Sequence, residues 1–515
     1  MSIFKFQQKE KAGPGLKRKK VKPNKRLGQK LERELPYVIT LITIMAASGI
    51  TPFGSFIKLT RYRLLPYIMK EARNIIGQVH ILGEDPLSAM EKRAEGTTSK
   101  QYRDLLLGYV STVRNGGDIA SFLQSKMKSI FEFEVAVARQ TVAKLGGLVE
   151  AYMIMQVIAL SMYVVVVALG SSSGSGATGN VLPQSFSSPV FSYLLVFVIL
   201  PLLSISILYA LDKSMTSSLI GVGKILKQGV ILSAGAIVAF AVVAASGVLN
   251  GVIDPVYAFP MFLIAASAWP AMKATRAEKN MKSMESELPS YLRDVAESRK
   301  AGLSPEKCII YASERLRDPK FHSVVKNFAS QLEWGVPLRK IYENLSSNIK
   351  SWSALVHFRI LIEAIESGGG YTTSLEILAQ SSESNRNTEL EKESMLKPYV
   401  MIAFMVTALT AITTLMVAQT FTDVSEGTFS GIEGAESTVV IQEQGALTST
   451  QLFAIGISAQ SWMTGFLAGK ISSGSFGTGF RYAIMLVLIA FGAIVMTQEF
   501  NLSPSAFMGE SSPTG

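Results

Sequence analysis

The sequence predicts an all-α polytopic membrane protein with about seven transmembrane helices and two repeated cytoplasmic helical-bundle domains. Three observations carry that expectation. Of 515 residues, 48% are hydrophobic and only 17% charged, and the mean hydropathy is +0.30, which excludes an ordinary soluble domain and a disordered chain. Apolar runs near the length of a bilayer-spanning helix recur at 148–169, 190–211, 230–249, 252–272, 399–421, 451–469 and 482–497. The third observation is an internal repeat, which places similar polar modules before the first run and before the fifth.

From the N-terminus, residues 1–30 form a basic arm broken by Pro and Gly, with Lys17, Arg18, Lys19 and Lys20 at its centre. Such an arm suits anionic lipid headgroups or an acidic partner. It lacks the aromatic interleaving of a nucleic-acid surface, so no nucleic-acid partner is expected. Residues 31–147 form the first bundle. Its apolar run Tyr37–Thr51 lies between Pro36 and Pro52, too short to span, and is expected to be a core helix bounded by those prolines. Residues 148–272 hold four spans, 273–398 the second bundle, and 399–497 three spans around an acidic loop at 422–450. A tail at 498–515 closes the chain.

Charge orients this series. All 50 Lys and Arg fall within 1–147, 212–229 and 273–398 or at Lys470 and Arg481, while 170–189, 250–251, 422–450 and 498–515 contain none. Cytoplasmic loops are enriched in basic residues, so the N-terminus is expected inside the cell membrane and the C-terminus outside.

The repeat is read at nearly constant offset. Pro36, Gly49 and Pro52 recur as Pro289, Gly302 and Pro305, each 253 positions on, and Gly116-Gly117 recurs as Gly368-Gly369. Glycines follow helices and prolines open them, and the stretches between carry apolar residues at helical spacing. The partner of Tyr37–Thr51 contains Arg293, Asp294, Glu297, Arg299 and Lys300 and cannot span.

No catalytic constellation stands out. Gly174 to Gly179 has dinucleotide-loop spacing but no preceding strand, and Gly465 to Lys470 is one residue short of a P-loop, with Ile471 where a magnesium-binding hydroxyl belongs. Cys308, His80, His322 and His357 have no metal-site spacing. No enzyme activity, cofactor or metal is expected. Glu150 and Asp254 lie at span edges, where headgroup-level placement explains them. Asn501-Leu502-Ser503 is a glycosylation sequon on the side expected to be external, and Asn344-Leu345-Ser346 one on the inner side. Basic residues cluster in the second bundle at Arg293, Arg299, Lys300, Lys307, Arg315, Arg317 and Lys320, interspersed with acids. Solvated helix faces explain most of them, and docking of an acidic cytosolic partner is expected of some.

Paired bundles with Gly83 and Pro86-Leu87 in one copy, Gly335 and Pro337-Leu338 in the other, and terminal glycines at 116–117 and 368–370 resemble the F-type platform proteins of type II secretion and type IV pili. Seven spans and a basic arm look most like the archaeal archaellum or pilus platform. The family's acid before the double glycine is kept at Glu366 but replaced by Arg114 in the first copy. The resemblance implies a non-catalytic, homo-oligomeric platform that contacts membrane lipids. A cytosolic hexameric secretion ATPase would dock on it, and pilin- or archaellin-like subunits would pass through it to a filament. Partner-facing residues would be Lys17, Arg18, Lys19, Lys20, Arg293, Arg299, Lys300, Arg315 and Arg317. The alternative from the residues alone is a secondary transporter or channel, which should show interrupted, charged spans in paired positions.

Overall fold

The computed structural model describes residues 25–172, 194–214, 222–246, 254–368, 371–429 and 449–499. Among the described residues there are helices and no strands. Two compact units emerge, Met1–Ile130 and Phe131–Gly515.

In the first unit, α1 (Lys25–Ala47), α2 (Pro52–Leu59), α3 (Pro66–Leu82), α4 (Pro86–Gly96) and α5 (Lys100–Arg114) precede the start of α6 (Ile119–Ser172). Val38, Ile39, Leu41, Ile42, Ile44 and Met45 are all essentially inaccessible, so α1 is apolar around its circumference because it is enclosed by its neighbours. Pro36 was expected to bound this helix. Instead α1 runs through it, although an interior proline loses one backbone hydrogen bond and its ring crowds the carbonyl of the preceding turn; burial of the apolar residues that follow outweighs that cost. The Thr40 hydroxyl donates back to the Pro36 carbonyl at 2.7 Å. Pro289 likewise lies inside a helix.

Helix ends follow the glycine and proline pattern closely. Gly49 adopts φ +79° and Gly302 φ +88°, each ending a helix in the left-handed region where a Cβ is unfavourable. Thr51 and Ser304 then cap the next helices, accepting from the Gly54 and Lys307 amides, with Pro52 and Pro305 in the first turn. Gly116 has φ +67° and the Gly117 amide donates to the Thr112 carbonyl at 2.9 Å, closing α5. Gly368 ends its own helix, and Gly369 lies outside the described residues.

The second unit continues α6 and adds α7 (Leu200–Ser214), α8 (Val222–Ala245), α9 (Pro255–Lys300), α10 (Pro305–Glu314), α11 (Pro319–Glu333), α12 (Leu338–Asn348), α13 (Trp352–Gly368), α14 (Thr372–Phe429), α15 (Ser449–Ser473) and α16 (Gly479–Glu499). The order from α9 to α14 repeats that from α1 to α6. One tertiary contact repeats with it. Ser99 Oγ donates to Glu32 at 3.0 Å in the first unit, and Ser351 Oγ donates to Glu285 at 2.7 Å in the second.

Among the described residues, five helices are long and apolar enough to cross a membrane: α6, α8, α9, α14 and the helix through α16. The seven runs of the sequence are reduced for two local reasons. The run at 190–211 begins outside the described residues, and its described part is a π-helical turn, Leu195–Ile199, followed by the 15-residue α7. The run at 451–469 lies in α15, which is 25 residues long but carries Ser458, Gln460, Ser461 and Thr464 along its length.

Close helix approach holds the membrane part together. A Cβ on Gly465 would collide with the Ala483 backbone, and one on Gly469 with Gly479. The segment that mimics a P-loop is thus a small-residue stripe admitting α16 against α15. Its Lys470 is buried and paired with Asp212 at 2.8 Å.

Candidate functional site

Two helices of the second unit are far longer than a bilayer requires. At 1.5 Å per residue, the 46 residues of α9 and 58 of α14 extend about 70 and 87 Å. Each therefore carries one continuous backbone from an apolar span into the polar bundle.

Ion pairs join these two helices along their polar halves. Lys282 meets Glu393 at 2.9 Å, Arg293 meets Glu383, and Lys300 meets Glu376 at 2.6 Å. The residue numbers rise on α9 as they fall on α14, so the helices are antiparallel and in register. Spacings of 11 and 7 on α9 bring its three cations back to one face after three and two turns, and the spacings of 10 and 7 on α14 keep its acids within reach of them. Exposed pairs contribute little singly, but three in series fix the axial register of two rods.

At the membrane end of this pair, Glu278 is buried, contacts Lys282 at 3.3 Å and lies 3.9 Å from Arg481 at the start of α16. On the other side α14 crosses α6. Arg139 pairs with Glu391 at 2.6 Å, and Gly146 lies so close to Tyr399 that any Cβ there would strike the Tyr399 hydroxyl. These partners are 252 and 253 positions apart, the offset of the sequence repeat. Val142, Leu145, Val149 and Leu396 pack the crossing.

A polar cluster ties α6 to α7 and α15 within the apolar zone. The Tyr152 hydroxyl lies 2.8 Å from Thr464 Oγ1 and accepts from Gln156 and Gln460 at 3.1 and 3.0 Å, and Gln460 also reaches Ser204 at 2.9 Å. Interhelical hydrogen bonds of this kind hold spans that have no hydrophobic drive to associate in lipid.

The bundle behind the paired helices has an aromatic core of Tyr291, Phe321, Phe328 and Phe358, with ring centroids 6.0 to 6.3 Å apart. His357 is buried beside it, its Nδ1 2.8 Å from the Ser353 carbonyl and its Nε2 3.3 Å from Asn385 Nδ2. Burial holds this imidazole neutral, its pKa lowered to about 4.

The residues expected to face a partner divide into three groups. Lys17, Arg18, Lys19 and Lys20 lie outside the described residues. Arg293 and Lys300 belong to the ion-pair ladder, Arg315 lies 3.7 Å from Asp294, and Arg299 donates to the Leu303 carbonyl at 2.8 Å. Arg317 is exposed with no ion-pair partner among the described residues. Sequence reasoning named two cations of the ladder, Arg293 and Lys300, and missed the third, Lys282, with the acids Glu376, Glu383 and Glu393 and the Arg139–Glu391 pair. Their spacing on facing helices was the available signal; the antiparallel pairing that gives it meaning was not.

Residues 291–418 match the family described as Type II secretion system (T2SS), protein F. The matched segment starts in α9 and ends in α14 just past its candidate span, so it includes the Arg293 and Lys300 pairs and the bundle between them. No curated protein and no solved structure matches the chain.

Proposed function

We propose that the chain is a non-catalytic, seven-span platform for assembling a type IV pilus-like filament, an archaellum or adhesive pilus among them, or for type II secretion. In this reading both bundles and the basic arm hang into the cytoplasm, with the N-terminus inside and the C-terminus outside. A cytosolic hexameric secretion ATPase docks on the inner face, and pilin- or archaellin-like subunits leave the bilayer along the spans. The repeated α1–α6 and α9–α14 order supports two copies of one module, and the match at 291–418 supports its kind.

The observation that carries the reading is the paired α9 and α14. Each is a single helix from bundle to bilayer, with Pro270 in α9 and Pro398 in α14 near the junction, and ladder pairs hold the two in register, so a push on the bundle is carried to the spans along an unbroken backbone. A protein that converts another's nucleotide cycle into movement of membrane helices needs such a connection.

The test separates docking from pairing. Arg317→Glu should weaken co-purification of the cognate ATPase in a salt-dependent way while leaving thermal stability unchanged, because surface charge acts chiefly on encounter and is screened. Lys300→Glu should lose filament assembly, and Lys300→Glu with Glu376→Lys should regain it. Full assembly in the single reversal, with no rescue needed, would remove the rigid-lever account.

A further inference from the structure

A groove of about 930 Å³ lies between α8 and α9, on the stretch of α9 that precedes its ion-pair ladder. Its walls are apolar, with a small-residue stretch of Gly235 and Ala239 on α8 and Ala265 and Ala266 on α9 flanked by Ile231, Leu232 and Phe262. Beside it Ile231 is 72% and Val238 62% exposed, so this face opens toward hydrocarbon. At one end it is closed by Gln228 and Trp269.

That end is basic. Lys273 Nζ lies 3.7 Å above the Trp269 ring, and Lys227, Lys273 and Arg276 are exposed with no ion-pair partner among the described residues. α8 enters its apolar stretch after Lys227, and α9 leaves its own before Lys273. The two helices thus bring their cations to one level, where a tryptophan also marks the bilayer interface. An apolar channel leading to three unneutralised cations complements one kind of ligand, a hydrocarbon tail carrying an anionic head.

We propose that the α8/α9 groove is a binding site for a single anionic membrane lipid. Its tail lies along Gly235, Ala239, Ala265 and Ala266, and its phosphate sits among Lys227, Lys273 and Arg276. The site rests on the membrane placement of α8 and α9 and not on the assembly reading, so either can fail alone. An acyl chain fits where side chains have been reduced to hydrogen and methyl, and the cations gain the counter-charge their own chain does not supply.

The test uses the full-length protein, delipidated in detergent and exchanged into nanodiscs of a phosphatidylglycerol and phosphatidylcholine mixture, with retained lipid counted by mass spectrometry. The wild type should retain phosphatidylglycerol well above its bulk fraction and melt higher in the mixture than in phosphatidylcholine alone. Lys227→Ala/Lys273→Ala/Arg276→Ala should lower that enrichment at least about tenfold. Ala265→Phe, which fills the groove and leaves the rim intact, should lower it comparably while still melting cooperatively. Enrichment unchanged in Ala265→Phe would mean that the basic rim acts alone and would overturn the groove assignment. No enrichment in the wild type, or efficient cross-linking between two copies carrying Ala239→Cys, would overturn the lipid as occupant.

Discussion

Glu34 shows how one side chain serves a remote helix. Leu65, before Pro66, offers no side-chain cap to α3, and the Glu34 carboxyl accepts from the Tyr67 and Ile68 amides at 3.1 and 2.8 Å instead. Burial still outweighs those bonds and raises its pKa to about 7 from 4.5. The folded state therefore holds this proton more tightly than the unfolded chain. Stability from Glu34 is fully present below pH 4.5 and is lost as pH rises through 7. A series of melts across that window should show a fall in the wild type that Glu34→Gln abolishes, because the amide still accepts but carries no charge to bury.

His357 has the opposite sign. Its pKa is lowered to about 4 from 6.5, so its contribution is present above pH 6.5 and is lost as pH falls through 4. His357→Gln should flatten the acid side of the same melting profile. Should the acid limb keep its slope, some other group governs it.

At the scale of elements, the α15/α16 contact depends on the absence of two side chains. Gly469→Val should separate the helices and lower thermal stability by about 2 kcal/mol or more, as overpacking of a tight contact does, whereas Gly492→Ala, where a Cβ meets nothing within 4 Å, should be nearly silent. Equal melting of the two variants would mean that α15 and α16 do not pack this closely. The ladder and the α6/α14 crossing belong to this scale too. Caps, glycines and amphipathic spacing were legible in the sequence because they are local. Charge partners such as Glu376 and Glu391 were not, since a charge on a helix face looks the same whether it meets water or another helix.

For the whole molecule, the alternation of basic and acidic segments makes a sidedness prediction that can be measured directly. The lone cysteine, Cys308, is buried, so an introduced thiol should dominate labelling. Ser437→Cys, in the acidic segment at 422–450, should react with an impermeant maleimide on intact cells, and Ser323→Cys, exposed on α11, only after permeabilisation. Labelling of Ser323→Cys on intact cells would place the second bundle outside and leave no surface for a cytosolic motor.

Sequence by itself determined the helical class, the apolar runs and the glycine and proline breaks, all of which depend on neighbours within a few positions. Only the tertiary structure decided that Pro36 lies within a helix, that Arg293 and Lys300 are paired while Arg317 has no ion-pair partner among the described residues, and that Gly465 and Gly469 admit a neighbouring helix. Each of these turns on which distant segment lies opposite a side chain. That partner is chosen by the packing of the whole chain, and no local pattern encodes it.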